Sequence, residues 1–192
     1  MTKIPLQYQR TEFDCGPTAV LNALSHVFGR CELPPDLLKY VMMYTLDCFG
    51  ERGEVGKNGT SPLAMSFLSG FLNQYSAMKS FPLKSVYLSG AEVNFGAKSP
   101  ILSALKGGAA VLRVHTECAH YVTLTRANKR SVDLFDPYLL QPFVQKGVRP
   151  LNSPSANLRI SFDLFEEEGA MYSLGPIGGR EAMIITAQRA QK

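Results

Sequence analysis

Gln9-Arg10-Thr11-Glu12-Phe13-Asp14-Cys15-Gly16-Pro17-Thr18 reads as the entry to a helix with a cysteine at its lip. Pro17 suits a first helical turn, where a missing N–H costs nothing. Beyond it Val20, Leu21, Leu24, Val27 and Phe28 recur at helical spacing and make one apolar stripe. Gly29 then stops the helix. Cys15 therefore stands where unpaired backbone N–H groups and the positive end of the peptide dipoles converge. Such a place favours thiolate, the nucleophilic form of cysteine. With the far face of the helix buried, the mounting is rigid and the sulfur is expected to be exposed.

The chain has 192 residues, enough for one domain with a sizeable core. Hydrophobic residues make up 45% and charged residues 19%, an ordinary globular balance that needs no disulfide or metal to fold. Net charge is +4, and the only run of like charges is Glu166-Glu167-Glu168. Nucleic-acid binders cluster Lys and Arg, so no nucleic-acid partner is expected. The N-terminus lacks the apolar core of a signal peptide. No stretch approaches the roughly 18 apolar residues that span a bilayer, so no membrane partner and a cytoplasmic location are expected. Cys15, Cys31, Cys48 and Cys118 show no C-x-x-C spacing, and a cytoplasmic chain keeps them reduced. Cys31 and Cys48 read as small buried hydrophobes.

Outward from the first helix, Pro34-Pro35-Asp36 opens a second helix through about Leu46. Gly50 to Gly59 reads as a loop; its glycines follow a helix, not a strand, which argues against a phosphate cradle. Thr60-Ser61-Pro62 opens a third helix to about Tyr75, and Ser99-Pro100 a short one ending at Gly107-Gly108. The periodicity then changes to alternation. Ala109 to Val114, Tyr121 to Arg126, Ser131 to Phe135 and finally Ala182 to Ala187 read as strands. Pro142 to Pro154 reads as irregular and Glu166 to Glu168 as a solvated helix end. Helices followed by antiparallel strands give an α+β class in one domain. The lobe boundary is expected near residue 98, with a helical lobe at about 1–98 and a sheet lobe at about 99–192.

A cysteine nucleophile needs a base, and the base needs a group that fixes its tautomer. Of the three histidines, His26 is carried away from Cys15 by its own helix, and His115 sits in a turn. His120 begins a strand, which fixes it better. If the chain turns back at Ala127 to Arg130, an odd loop sets Asp136 opposite His120 and an even one sets it opposite Tyr121. In the latter case a bulge could repair the offset. Pro137 ends the strand and leaves the Asp136 carboxylate at a sheet rim. Gln9, with Gln7 as a competitor, offers an amide N–H that could join the Cys15 backbone N–H around an oxyanion. Zinc on His115, Cys118 and His120 would lack further ligands nearby. The G-x-S-x-G, P-loop and H-E-x-x-H patterns are absent. The expected catalytic set is therefore Cys15, His120, Asp136 and Gln9, with no cofactor and no metal.

Gln9 with five intervening residues before Cys15-Gly16-Pro17, then His120-Tyr121-Val122-Thr123-Leu124, then Asp136-Pro137, resembles the papain-like cysteine peptidases. Within them the pattern is similar to the bacteriocin-processing (double-glycine leader) peptidases and their stand-alone relatives. The resemblance covers those segments and their order, but not residues 30–100 or 140–192. It implies a papain-like fold with the cleft between a helical and a sheet lobe. It also implies that these positions are oxyanion glutamine, nucleophile, base and orienting carboxylate. The expected substrate is a peptide or other amide, cleaved through an acyl-enzyme on Cys15. Acyl transfer to an amine on the same scaffold, or a catalytically silent binding protein, are the alternatives.

Overall fold

Alternating apolar residues dominate the second half of the chain, and they build an antiparallel sheet. The computed structural model describes residues 6–139, 141 and 145–188. Among these, seven strands form one sheet: β1 (Leu83–Ser89), β2 (Gly108–His115), β3 (Ala119–Ala127), β4 (Ser131–Phe135), β5 (Val148–Ser153), β6 (Ala156–Ser161) and β7 (Glu181–Ala187). Their order across the sheet is β1-β7-β2-β3-β4-β6-β5, with every neighbouring pair antiparallel. Period-two alternation sends side chains to two faces, and each face has its own core. Ala109, Val111, Tyr121, Met183 and Ile185 point to one; Ala110, Leu112, Val122, Leu124 and Ile184 point to the other.

The first face carries the long helices α1 (Cys15–Phe28), α2 (Pro35–Thr45) and α3 (Pro62–Lys79). The stripe of α1 buries Val20, Leu24 and Phe28 against the sheet, and Gly29 ends the helix at φ +75°, a left-handed conformation that glycine adopts without a Cβ clash. Ser61 caps α3 by accepting a hydrogen bond from the Ala64 N–H at 3.1 Å. The second face carries the short helices α4 (Pro100–Ala104) and α5 (Phe162–Glu166), through Ile101, Leu164 and Phe165. The class is α+β, as the periodicity indicates.

Several elements differ from the sequence expectation. β1 lies before residue 98 and forms a sheet edge, so the sheet draws on the first half of the chain too. Within the stretch expected to be irregular, residues 142–144 lie outside the described residues, but 148–153 form β5. Pro150 disguises it; a proline is tolerated there because β5 is an edge strand. β7, last in sequence, is inserted between β1 and β2. Glu166 to Glu168 are exposed at the end of α5, as expected, and Arg180 Nη2 donates to Glu166 at 2.9 Å. Cys31 is exposed in the turn after α1 and Cys48 is half-buried, so neither is the core residue that its size suggested. Both fall in the connections between the long helices, and neither belongs to either core. No helix among the described residues is long and apolar enough to cross a membrane.

Candidate active site

Cys15 is the first residue of α1, and its neighbours hold that end close to the rest of the molecule. A Cβ at Gly16 would collide with the Thr60 hydroxyl, so the glycine permits the approach of the segment leading into α3. Thr60 Oγ1 in turn donates to Thr45 O at 2.6 Å, tying that segment to the end of α2. Asn22, buried on α1, exchanges two 2.9 Å hydrogen bonds with the Gln7 backbone and anchors the strand of chain that precedes Cys15. Contrary to expectation, Cys15 is only 8% exposed, because it is packed into the helix-side core.

His120 is the second residue of β3 and is 7% exposed. Its Nε2 lies 2.7 Å from Asp136 Oδ1, which leaves Nδ1 as the nitrogen for the Cys15 sulfur with which the ring interacts. The turn between β3 and β4 falls later than expected, with Ala127 still in the ladder opposite Val132. Asn128 Oδ1 accepts from the Arg130 and Ser131 N–H groups, both at 2.9 Å, and fixes that turn. Near the turn Arg126 pairs with Asp133, but farther along Leu124 pairs with Leu134 and Thr123 with Phe135, so the register slips by one at Thr125. Without the slip, Asp136 would lie across from Thr123 and on the face opposite His120. The bulge moves it across from Val122, two positions from His120 on the same face, within diagonal reach.

Burial would pull the His120 imidazole down. The Asp136 hydrogen bond and the Cys15 sulfur outweigh burial and push it up to about 10. Burial likewise raises Asp136, which is 4% exposed, but donors from His120, Tyr172 and the Tyr138 backbone hold it below the usual carboxylate range. Tyr172 Oη donates to Oδ2 at 2.6 Å, and the Tyr138 N–H donates to Oδ1 at 2.8 Å. Asn157 of β6 clamps the Asp136 backbone from both sides: its Oδ1 accepts from the Asp136 N–H and its Nδ2 donates to the Asp136 carbonyl, both at 2.8 Å. Sequence reasoning missed Asn157 and Tyr172. Asn157 did carry a signal, a polar residue at a buried strand position; Tyr172 carried none.

Gln9 borders this cluster, its backbone N–H bonded to the carbonyl of Pro137 at 2.9 Å. Its side-chain Nε2 donates to Thr11 O at 2.7 Å, leaving one amide hydrogen uncommitted, and its Oε1 is buried without a partner among the described residues. Gln7, by contrast, is exposed and held only through its backbone. A groove of about 610 Å³ runs past Tyr8, Gln9, Tyr138, Leu139 and Leu151. A larger hollow of about 710 Å³ lies at the other end of α1, where His26 is found, half-buried. His115 ends β2 rather than sitting in a turn, and its ring packs against Gly175. Cys118 is exposed in the turn before His120. Among the described residues no group of three or more His, Cys, Asp or Glu is placed to hold a metal ion.

No family model matches the chain, and no curated protein matches it by sequence. Among solved structures it is similar to the peptidase domain of Streptococcus ComA, a bifunctional ABC transporter involved in a quorum-sensing pathway. The identity is 15%, 96% of this chain and 98% of that chain are covered, and the TM-score is 0.49. That is a loose likeness, and the chemistry of the site stands on the side chains themselves.

Proposed function

We propose that the chain is a papain-like cysteine hydrolase that cleaves a peptide or other amide through an acyl-enzyme on Cys15. The observation that carries this reading is the Cys15, His120, Asp136 relay, with the imidazole bonded to a buried carboxylate at 2.7 Å and in contact with the sulfur. In the resting site the imidazolium holds the sulfur as thiolate. The thiolate attacks the substrate carbonyl carbon, and the amide hydrogen of Gln9 and the Cys15 backbone N–H receive the oxyanion. His120 then protonates the leaving nitrogen, and the C–N bond breaks. Water, deprotonated by His120, hydrolyses the thioester and restores the pair. Asp136 keeps Nε2 protonated throughout, so that Nδ1 is the nitrogen that exchanges protons. The groove past Tyr8, Tyr138 and Leu139 offers a partly apolar bed for an extended peptide. The resemblance of the motif spacing to the bacteriocin-processing peptidases agrees with a peptide substrate.

The test is a peptide and amide panel assayed with the wild type and Cys15→Ala. Turnover on at least one member should vanish in the variant while the circular dichroism spectrum is unchanged. Turnover that survives Cys15→Ala contradicts the reading. Added amines that divert the product from free acid would instead favour acyl transfer.

A further inference from the structure

We propose that Tyr172 is a positioning residue of this site: its hydroxyl fixes the second oxygen of Asp136 and thereby the orientation of the imidazole. The inference rests on the cysteine hydrolase reading above. Asp136 Oδ1 is occupied by His120 Nε2 and the Tyr138 N–H, so a single further donor on Oδ2 decides whether the carboxylate can swing about its Cβ–Cγ bond. Tyr172 Oη supplies that donor at 2.6 Å, and the side chain is 1% exposed. The placement is held against a local cost. Tyr172 has φ +70°, one of two non-glycine residues with positive φ among those described. The segment is locked in place: the Tyr172 N–H donates to His115 O at 2.6 Å and the His115 N–H donates to Ser173 O at 2.8 Å. Gly175 admits the His115 ring, which a Cβ would approach to 2.7 Å. His115 pairs with Ala119, directly before His120, so the tyrosine and the histidine are hung from the same strand ends.

A buried tyrosine needs some acceptor, so the bond alone could serve packing only. Tyr121 and Tyr87 show that case, both donating to Glu181 at 2.6 Å and 2.8 Å. What sets Tyr172 apart is that its acceptor also holds the imidazole. Among the described residues, the titratable side chains that act on Asp136 are His120 from β3 and Tyr172, with Cys15 from α1 beyond the imidazole. Tyr8 reaches Asn157 at 3.5 Å rather than the carboxylate. Removing the hydroxyl leaves Oδ2 buried without this donor and frees the carboxylate to swing about its Cβ–Cγ bond, so that Oδ1 no longer fixes the imidazole beside the sulfur.

The test is iodoacetamide labelling of Cys15 across pH, read site by site by mass spectrometry, in wild type and Tyr172→Phe. The acid limb of the Cys15 profile should move upward by about one pH unit in the variant. A profile that superimposes on the wild type, with only thermal stability lowered, assigns Tyr172 to packing and overturns the inference. 4-Fluorophenylalanine introduced at position 172 fills the place of the hydroxyl without a donor, so it decides the matter should Tyr172→Phe not fold. Its acid limb should move upward, and an unmoved limb overturns the inference. Wild-type Cys15 that labels no faster than Cys118 at pH 6 fails the hydrolase reading itself and the inference with it.

Discussion

Asp133 and Asp136 stand three residues apart on and just beyond β4, each 4% exposed, and they have opposite characters. Asp133 is gripped by Arg126 at 2.7 Å and 2.9 Å and by Arg159 at 2.6 Å and 3.0 Å. Both partners are permanently charged, and they reach outward, with side-chain exposures of 71% and 30%. Nothing in that cluster can trade a proton near neutral pH. Asp136 instead holds an imidazole and a neutral hydroxyl, and the imidazole touches a sulfur. Burial and charge are alike at the two carboxylates; the partner's ability to titrate separates an ion-pair brace from the proposed reactive site. The bulge at Thr125 enforces the separation by setting the two carboxylates on the faces their partners occupy.

The largest contrast should appear in turnover. Asp136→Asn frees the imidazole tautomer and should lower kcat/KM by about 10²- to 10⁴-fold on a substrate cleaved by the wild type. Asp133→Asn should leave kcat/KM within a few-fold, and equal losses in the two variants would erase the distinction. Next comes stability, with the order reversed. Asp133→Asn breaks a doubly bonded buried carboxylate and should cost about 1–3 kcal/mol in urea unfolding at pH 7.

Stability across pH sharpens the comparison further. Both carboxylates are held below their ordinary value of 3.8, so each contributes stability above that pH that is lost as pH falls below it. His120 is raised from 6.5 to about 10, so its contribution is full below pH 6.5 and is lost as pH rises through about 10. Asp133→Asn should therefore flatten only the acid side of the stability profile, and His120→Ala the alkaline side. The smallest effect belongs to Arg126→Ala, at less than about 1 kcal/mol, because that arginine is largely solvated and Arg159 still pairs with Asp133.

The elements that bear the site were legible because each has local markers. Pro17 and the apolar stripe announce α1, alternation announces β3, and Pro137 closes β4. The register between His120 and Asp136 was not legible, since a bulge is set by what the two strands pack against rather than by their own residues. β5 hid behind Pro150, and β1 sat in a stretch that carried no reading of its own and was grouped with the helical lobe. Gln9 was singled out as a candidate by its spacing, yet its bond to Thr11 could not be foreseen. Tyr172 was invisible for a plain reason: it occupies a turn, with a backbone conformation that its residue type rarely adopts.

The most direct test of the central claim, an imidazole-activated sulfur at Cys15, compares the alkylation rate of Cys15 with those of the exposed Cys31 and Cys118 at pH 6. The account predicts that Cys15, although 8% exposed, reacts faster than both, and that His120→Ala abolishes the difference. A Cys15 slower than the exposed thiols, or one indifferent to the loss of His120, would contradict it.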